Sequence, residues 1–261
     1  MRALKKNSFK KLHFLGNQTK DSKEAVARLI KIYGQYNLEE CDVIVALGGD
    51  GTILHALQAH MMRGKPFFGM NRGSVGFLMN QYHEEDLLER IAQAKEGVIH
   101  PLYMTAIAQN GEKIEALAIN EVSLFRQSYQ AAKIKISVDG CVRMEELICD
   151  GIMVASPAGS TAYNLSAFGP ILPLMAPLMA LTPVSAFRPR RWHGALLPND
   201  AHVKFDILEP EKRPVNAAAD NIELKSVQSV FITTEKNIRA NLLFDANHSW
   251  EERILTEQFR Y

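Results

Sequence analysis

Residues 42–57, "DVIVALGGDGTILHAL", restrict the fold more than any other stretch of the chain. The run from Val43 to Leu47 is apolar, of strand length and without polar alternation, the pattern of a strand covered on both faces. Gly48, Gly49, Asp50 and Gly51 follow, and then Ile53, Leu54, Leu57 and Met61 recur at helical spacing. A buried strand that turns through glycines into a helix argues for a parallel sheet with helices on its faces. The rest of the first hundred residues keeps this alternation. "LHFL" (12–15) precedes "DSKEAVARLIKIYG" (21–34), where Asp21 and Glu24 make a capping-box pair and Val26, Leu29, Ile30 and Tyr33 an apolar stripe that Gly34 ends. "PFFGM" (66–70) is a third strand, and "EEDLLERIAQAKEG" (84–97) is expected to be a helix stopped by Gly97.

From about Pro101 the pattern changes. "YMTAIAQNGEKIEALAINEVSLF" (103–125) and "KIKISVDGCVRMEELI" (133–148) each set a turn dipeptide, Asn-Gly or Asp-Gly, between strand-like runs, which suits type I′ hairpins. "HVKFDIL" (202–208) and "SVFITTE" (229–235) continue the β character. The expected fold is an α/β Rossmann-like N-terminal domain with a parallel sheet, residues 1–100, followed by a β-sandwich-like domain, residues 101–236. Residues 237–261 are expected to pack back on the first domain, with "SWEERILTEQF" (249–259) helical after Ser249 as cap. No internal repeat or low-complexity linker interrupts the chain.

Several function classes lose support. A net charge of +1 gives no bulk attraction to nucleic acid or anionic lipid. Three cysteines, Cys41, Cys141 and Cys149, with neither CxxC nor CxxH spacing, argue against a disulfide framework or zinc site and for a reducing compartment. The basic N-terminus lacks the apolar run of a secretory signal. Residues 151–187 carry no charge, but Pro173, Pro177 and Pro183 would break a spanning helix, so this segment is expected to be buried backbone around a core or pocket. A cytoplasmic location follows as the expectation. His55 and His60, five apart, do not share a helix face for a metal, and Ser160 lacks the nucleophile-elbow pattern.

The glycine loop admits two readings. It can be a tight strand-to-helix connection, or a cradle in which free backbone N–H groups meet phosphate oxygens. Asp50 is awkward in a simple phosphate cradle, because two anions repel. It makes sense as a proton acceptor for an attacking hydroxyl, or as a ligand for Mg²⁺ that bridges phosphates. Neither the Walker pattern nor GxGxxG is present.

"GGDGT" (48–52) is shared by NAD kinases, by diacylglycerol and sphingosine kinases and, in a variant form, by phosphofructokinases. With "NRGSVGFL" (71–78), "INEVSL" (119–124) and "CDGIMVASPAGSTAYNLSAFGPI" (149–171) in this order, the chain resembles the NAD kinases, in particular the short bacterial ones. The resemblance implies transfer of the γ-phosphoryl group of ATP to the 2′-hydroxyl of the adenosine ribose of NAD, giving NADP. It implies a nucleotide-binding first domain, an NAD-binding second domain, and NAD in the cleft between them. Asp50 would be the general base, and Gly48, Gly49, Gly51 and Thr52 would shape the phosphate site, with Asp50 and Gly51 also meeting NAD. Asn120 and Glu121 match the pair that binds NAD, including a ribose diol; a solvated strand end would also explain them. Asp150 matches the acid near the nicotinamide, although Ile148 and Cys149 stand where many relatives carry a basic residue and a glycine. Phe77 would wall the adenine. Thr161, Ala162 and Tyr163 would line the adenine and nicotinamide pockets with Ser166 nearby, and Ala158 replaces a usual hydroxyl residue.

Val184, Asp220 and Asn221 are weaker matches; Asn221 stands where the family has Gly, and a plain β-turn would account for the pair equally well. Arg188, with Arg190 and Arg191, could meet phosphates, face a second subunit or form a solvated loop. The resemblance further implies a divalent cation such as Mg²⁺ arriving with ATP, no certain protein metal ligand, polyphosphate as a conceivable donor, and a homodimer or homotetramer. Two alternatives stand beside it: a lipid kinase sharing "GGDGT", and a sensor that binds NAD(P) without turnover.

Overall fold

In the computed structural model, which describes residues 9–73 and 76–246 together with Leu255 and Phe259, Val43–Gly48 is a strand buried along its whole length. It pairs in parallel with Leu12–Gly16 on one side and Phe67–Asn71 on the other. The five-stranded sheet is completed by Ala240–Phe244, which lies parallel to Phe67–Asn71, and by Lys95–Ile99, which runs antiparallel at the edge. The helix Lys20–Tyr33 contributes Ala25 and Leu29 to a core with Phe14, Val45, Leu47 and Phe68.

Two local expectations need correction here. The first helix is capped by Thr19, whose hydroxyl accepts the Ser22 N–H at 3.4 Å, two residues before the expected cap Asp21 of the Asp21–Glu24 box. Gly34, with φ 78°, does end it. The segment 84–97 is not one helix. Only Leu87–Gln93 is helical, and Gly97 lies inside the edge strand opposite Leu242. A helix there would forfeit the backbone bonds that Ala240–Phe244 offers.

The chain divides into two compact units, Met1–Ile99 with Ile238–Tyr261, and His100–Asn237. The second holds two six-stranded sheets. One runs in the order Ala195–Pro198, Leu178–Val184, Gly151–Ala155, Glu121–Arg126, Val215–Ala219, Ile222–Leu224; the other in the order Lys113–Ala118, Leu102–Ala108, Val227–Thr234, Val203–Ile207, Ala132–Val138, Cys141–Cys149. The named pairings within both are antiparallel. Inward-facing residues of both sheets, among them Val122, Leu124, Ile134 and Phe205, share one apolar core. The Asp139–Gly140 hairpin has positive φ at both residues (53° and 75°), as a type I′ turn demands. The Asn110–Gly111 turn does not: only Gly111 is left-handed, and the loop takes an extra residue, with Ala108 N–H bonded to Glu112 O.

The uncharged segment 151–187 becomes two buried strands joined by a 3-10 turn, Ala158–Thr161, and a single helical turn, Tyr163–Ser166. Among the described residues no helix is long and apolar enough to cross a membrane. The helix expected over 249–259 lies outside the described residues, apart from Leu255 and Phe259.

Candidate functional site

In the first unit the helix Asp50–His60 begins directly after the buried strand, with Gly49 as its N-cap and Asp50 as its first residue. An acid there suits the positive end of the helix dipole. The three loop glycines differ in purpose. A Cβ on Gly48 would collide with Thr52 Oγ1, and the Thr52 hydroxyl also accepts from Asn17 Nδ2 at 3.4 Å, so Gly48 and Thr52 serve packing. A Cβ on Gly49 or Gly51 would meet nothing within 4 Å. These two glycines keep a clear approach to the backbone at the helix N-terminus.

The Asp50 carboxylate is held from a second segment. Phe77 N–H donates to Oδ2 at 2.7 Å and Leu78 N–H to Oδ1 at 3.0 Å. These two amides, one on each oxygen, fix the orientation of the carboxylate. Phe77, expected as an adenine wall, is half-buried and holds Asp50 through its backbone N–H. Gly76 sits so close that a Cβ would overlap the Asp50 carboxylate. Gly76→Ala should therefore displace the carboxylate without removing it. The expected result is a loss of turnover of about 10²-fold, the scale of an ångström's misplacement, with NAD affinity held within a few-fold in equilibrium titrations.

In the second unit Asn120 and Glu121 do lie at a strand end: Glu121 is the first residue of Glu121–Arg126. Both are half-buried. The Asp220 carboxylate accepts the N–H groups of Ile119, Asn120 and Glu121, and Gly159 packs against the Asn120 backbone. Glu121 Oε2 is buried without a hydrogen-bond partner. Burial, and then the charge of Asp220, push the Glu121 carboxyl up from 4.5 to about 7. Between those values the folded chain holds a proton that the unfolded chain has lost, so this group's contribution to stability falls as pH rises through that window.

Asp150 stands at the other end of the same strand pair, opposite Arg126, roughly 17 Å from Glu121 at about 3.4 Å per residue. Its missing basic neighbour is supplied from the adjacent strand: Arg126 Nε contacts Asp150 Oδ1 at 2.6 Å, and the same guanidinium bonds Ser128 O. Val184 O accepts the Asp150 N–H at 3.0 Å, which brings Val184 beside this acid. Tyr163, 44% exposed, packs edge-on against Phe125 at 5.7 Å. Thr161 and Ala162 are half-buried and Ser166 exposed, whereas Ala158, at 3% exposure, faces inward. Asn221 is exposed in the turn after Asp220. The Arg188 and Arg190 guanidiniums lie over the Phe187 ring at 5.6 and 5.0 Å, and Arg188 O accepts from Ile148 N–H.

Arg126 and Ser156 escaped the sequence reading. Ser156 accepts the Gly159 N–H at 3.1 Å and ties the Asn120 segment to the 3-10 turn. Nothing in either residue's local pattern announces a partner; both depend on strand register. Cys149, next to Asp150, is buried and pushed up to about 12, so it offers no thiolate near neutrality. Among the described residues no three His, Cys, Asp or Glu side chains cluster as a metal site.

Comparison with known proteins identifies the family. Residues 2–99 match the ATP-NAD kinase N-terminal domain family and residues 119–248 the ATP-NAD kinase C-terminal domain family. The NAD kinase of Brucella suis biovar 1 (strain 1330) is 63% identical over 250 residues, 96% of this chain and 97% of that one. That of Rhizobium meliloti (strain 1021) is 58% identical over 251 residues, 96% and 98%. Yeast NADH kinase, solved with NADH, superposes with TM-score 0.83 at 21% identity, covering 98% of this chain and 90% of that one. An Archaeoglobus fulgidus NAD kinase solved with ATP gives TM-score 0.76 at 23% identity, covering 95% and 98%. Two domain matches that together span most of the chain, and relatives this similar along nearly its full length, establish that the chain belongs to the NAD kinase family.

Proposed function

We infer that this member of the NAD kinase family transfers the γ-phosphoryl group of ATP to the adenosine 2′-hydroxyl of NAD, forming NADP. The observation that carries this is the Asp50 carboxylate, fixed by two amides beside two glycines whose backbone faces open space. Phosphoryl transfer asks the protein mainly to position groups and manage charge. Asp50 takes the proton of the attacking hydroxyl, and the amides around Gly49 and Gly51 meet phosphate oxygens. Asn120 and Glu121 bind a ribose diol. Asp150, held by Arg126, serves the nicotinamide end, and the roughly 17 Å between Glu121 and Asp150 suits a dinucleotide better than a single ring. Thr161, Ala162, Tyr163 and Ser166 complete the contacts; Ala158 acts from within the fold rather than on the ligand.

A divalent cation such as Mg²⁺ would come with ATP and neutralise phosphate charge, and Asp50, the one carboxylate in residues 48–52, would be the loop residue suited to hold it. Free cysteines at 41, 141 and 149 suit a reducing cytoplasm. Large exposed apolar side chains between 163 and 196, Phe168 at 92% and Met175 at 63% among them, suit assembly into a homodimer or homotetramer. Near-full-length identity to NAD kinases weighs against a lipid kinase, and an intact, oriented Asp50 weighs against a silent sensor. The test is incubation with ATP, Mg²⁺ and NAD, in parallel with diacylglycerol in place of NAD, reading NADP through an NADP-specific dehydrogenase. NADP accumulating in proportion to enzyme is expected; phosphorylated diacylglycerol without NADP, or NAD binding without product, would sink the assignment.

A further inference from the structure

The Asp220–Asn221 connection joins Val215–Ala219 to Ile222–Leu224 in a two-residue hairpin, and a hairpin needs no carboxylate. Asp220 nevertheless takes the left-handed conformation, φ 49°, and spends its side chain on another segment. Oδ2 accepts Ile119 N–H at 2.7 Å, and Oδ1 accepts Asn120 N–H at 3.0 Å and Glu121 N–H at 3.2 Å. The carbonyls of the same three residues are engaged as well. Ile119 O accepts Ser156 Oγ–H at 2.6 Å, Asn120 O accepts Ser156 N–H at 2.9 Å, and Glu121 O accepts Asp220 N–H at 3.1 Å. Two residues, Asp220 and Ser156, thereby fix all six backbone polar groups from which the Asn120 and Glu121 side chains project.

We propose that Asp220 is the positioning residue of the Asn120–Glu121 pair: its carboxylate locks their backbone and sets its charge against the Glu121 carboxyl, so that binding of a ligand's vicinal diol is coupled to a proton on Glu121. The proposal rests on Asn120 and Glu121 being ribose contacts of the NAD site. It differs from a turn that touches ligand, because Asp220 acts through other residues. Glu121 Oε2 is buried and lacks a partner, as an acceptor kept for a hydroxyl would be. Among the described residues few ionisable groups surround it. The flanking strands Gly151–Ala155 and Val215–Ala219 and the turn Ala158–Thr161 carry none. On Ile222–Leu224 the carboxylate of Glu223 accepts from Asn216 Nδ2 at 2.6 Å. Asp220 is thus the anion that Glu121 faces, and with burial it raises the Glu121 carboxyl to about 7. Diol hydroxyls donate to the ionised form, so NAD affinity rises as pH rises through neutrality and a proton is released on binding.

The test compares wild type with Asp220→Asn, which is isosteric but uncharged, and with Glu121→Gln. NAD affinity is titrated without ATP between pH 5.5 and 8.5, and KM and kcat are measured alongside. Asp220→Asn should weaken NAD binding about tenfold, as loss of a charged acceptor does. It should leave kcat within about threefold, and the acidic limb of the affinity profile should move to lower pH; Glu121→Gln should abolish that limb. A merely structural role would weaken binding at every pH alike. Unchanged affinity, or an unmoved limb, overturns the proposal. If Asp220→Asn does not fold, calorimetry of NAD binding to wild type near pH 7 in buffers of different ionisation enthalpy decides. Proton release in wild type that is absent in Glu121→Gln supports the coupling, and equal release in both overturns it. A wild type that binds NAD but forms no NADP would instead refute the catalytic assignment, which the affinity measurements do not need.

Discussion

Asp50→Asn should lower kcat by about 10²–10⁴-fold, the range expected when a positioned general base is removed, while NAD affinity stays within a few-fold. The substitution has a second consequence that the structure makes visible. In the wild type both carboxylate oxygens accept backbone amides, from Phe77 and Leu78. An asparagine must turn an NH₂ group toward one of those donors, leaving an amide without its acceptor at a cost of about 1–3 kcal/mol. Part of the lost activity then reflects a displaced 76–78 loop rather than the missing proton acceptor. Gly76→Ala separates the two, since it moves the carboxylate and keeps its basicity. At saturating NAD, Gly76→Ala should keep more turnover than Asp50→Asn, because it leaves a proton acceptor at the site. Turnover of Asp50→Asn within tenfold of wild type would rule out the role assigned to Asp50.

What the sequence revealed and what it hid divide by range of interaction. The strand Val43–Gly48 and the helix after it were legible because burial pattern and glycine punctuation are local. The change to antiparallel pairing near residue 101 was legible for the same reason, through alternation and turn dipeptides. Lys95–Ile99 was not, because its strand state comes from pairing with Ala240–Phe244 far along the chain, and Lys95 and Glu96 extend the helix-forming run before them. At the site, Asp50, Asn120, Glu121 and Asp150 stood out through the spacing of recognisable motifs. Their supports did not. Arg126 reaches Asp150 only because the register sets Phe125 opposite Gly151. Asp220 stood out only weakly, as a turn residue, because its amide partners lie about a hundred residues away. First-contact residues carry chemical type that a sequence displays; positioning residues carry geometry that it does not.

Gly159→Ala and Gly49→Ala should part company in a way that distinguishes packing from ligand access. A Cβ on Gly159 would overlap the carbonyl oxygen, carbonyl carbon and Cα of Asn120, all backbone atoms that no rotamer change can move aside. Either the turn Ala158–Thr161 shifts, breaking the 3.1 Å bond from Gly159 N–H to Ser156 Oγ, or Asn120 does, pulling against Asp220 and Ser156. Overpacking of this kind costs about 1–3 kcal/mol and, against fixed backbone, more. A melting temperature lower by about 5–10 °C is expected, with NAD affinity reduced at least tenfold because Asn120 and Glu121 are displaced together. Gly49→Ala meets no atom within 4 Å, and its φ of −110° suits alanine. Its melting temperature should stay within about 1–2 °C of wild type, the range of a neutral surface change. Its turnover should still fall, because the methyl group occupies the space through which a phosphate approaches the helix N-terminus. Differential scanning calorimetry paired with NADP formation reads both quantities. A Gly159→Ala protein as stable as wild type would mean that the Asn120 segment can yield, and the fixed backbone ascribed to Asp220 and Ser156 would lose its basis.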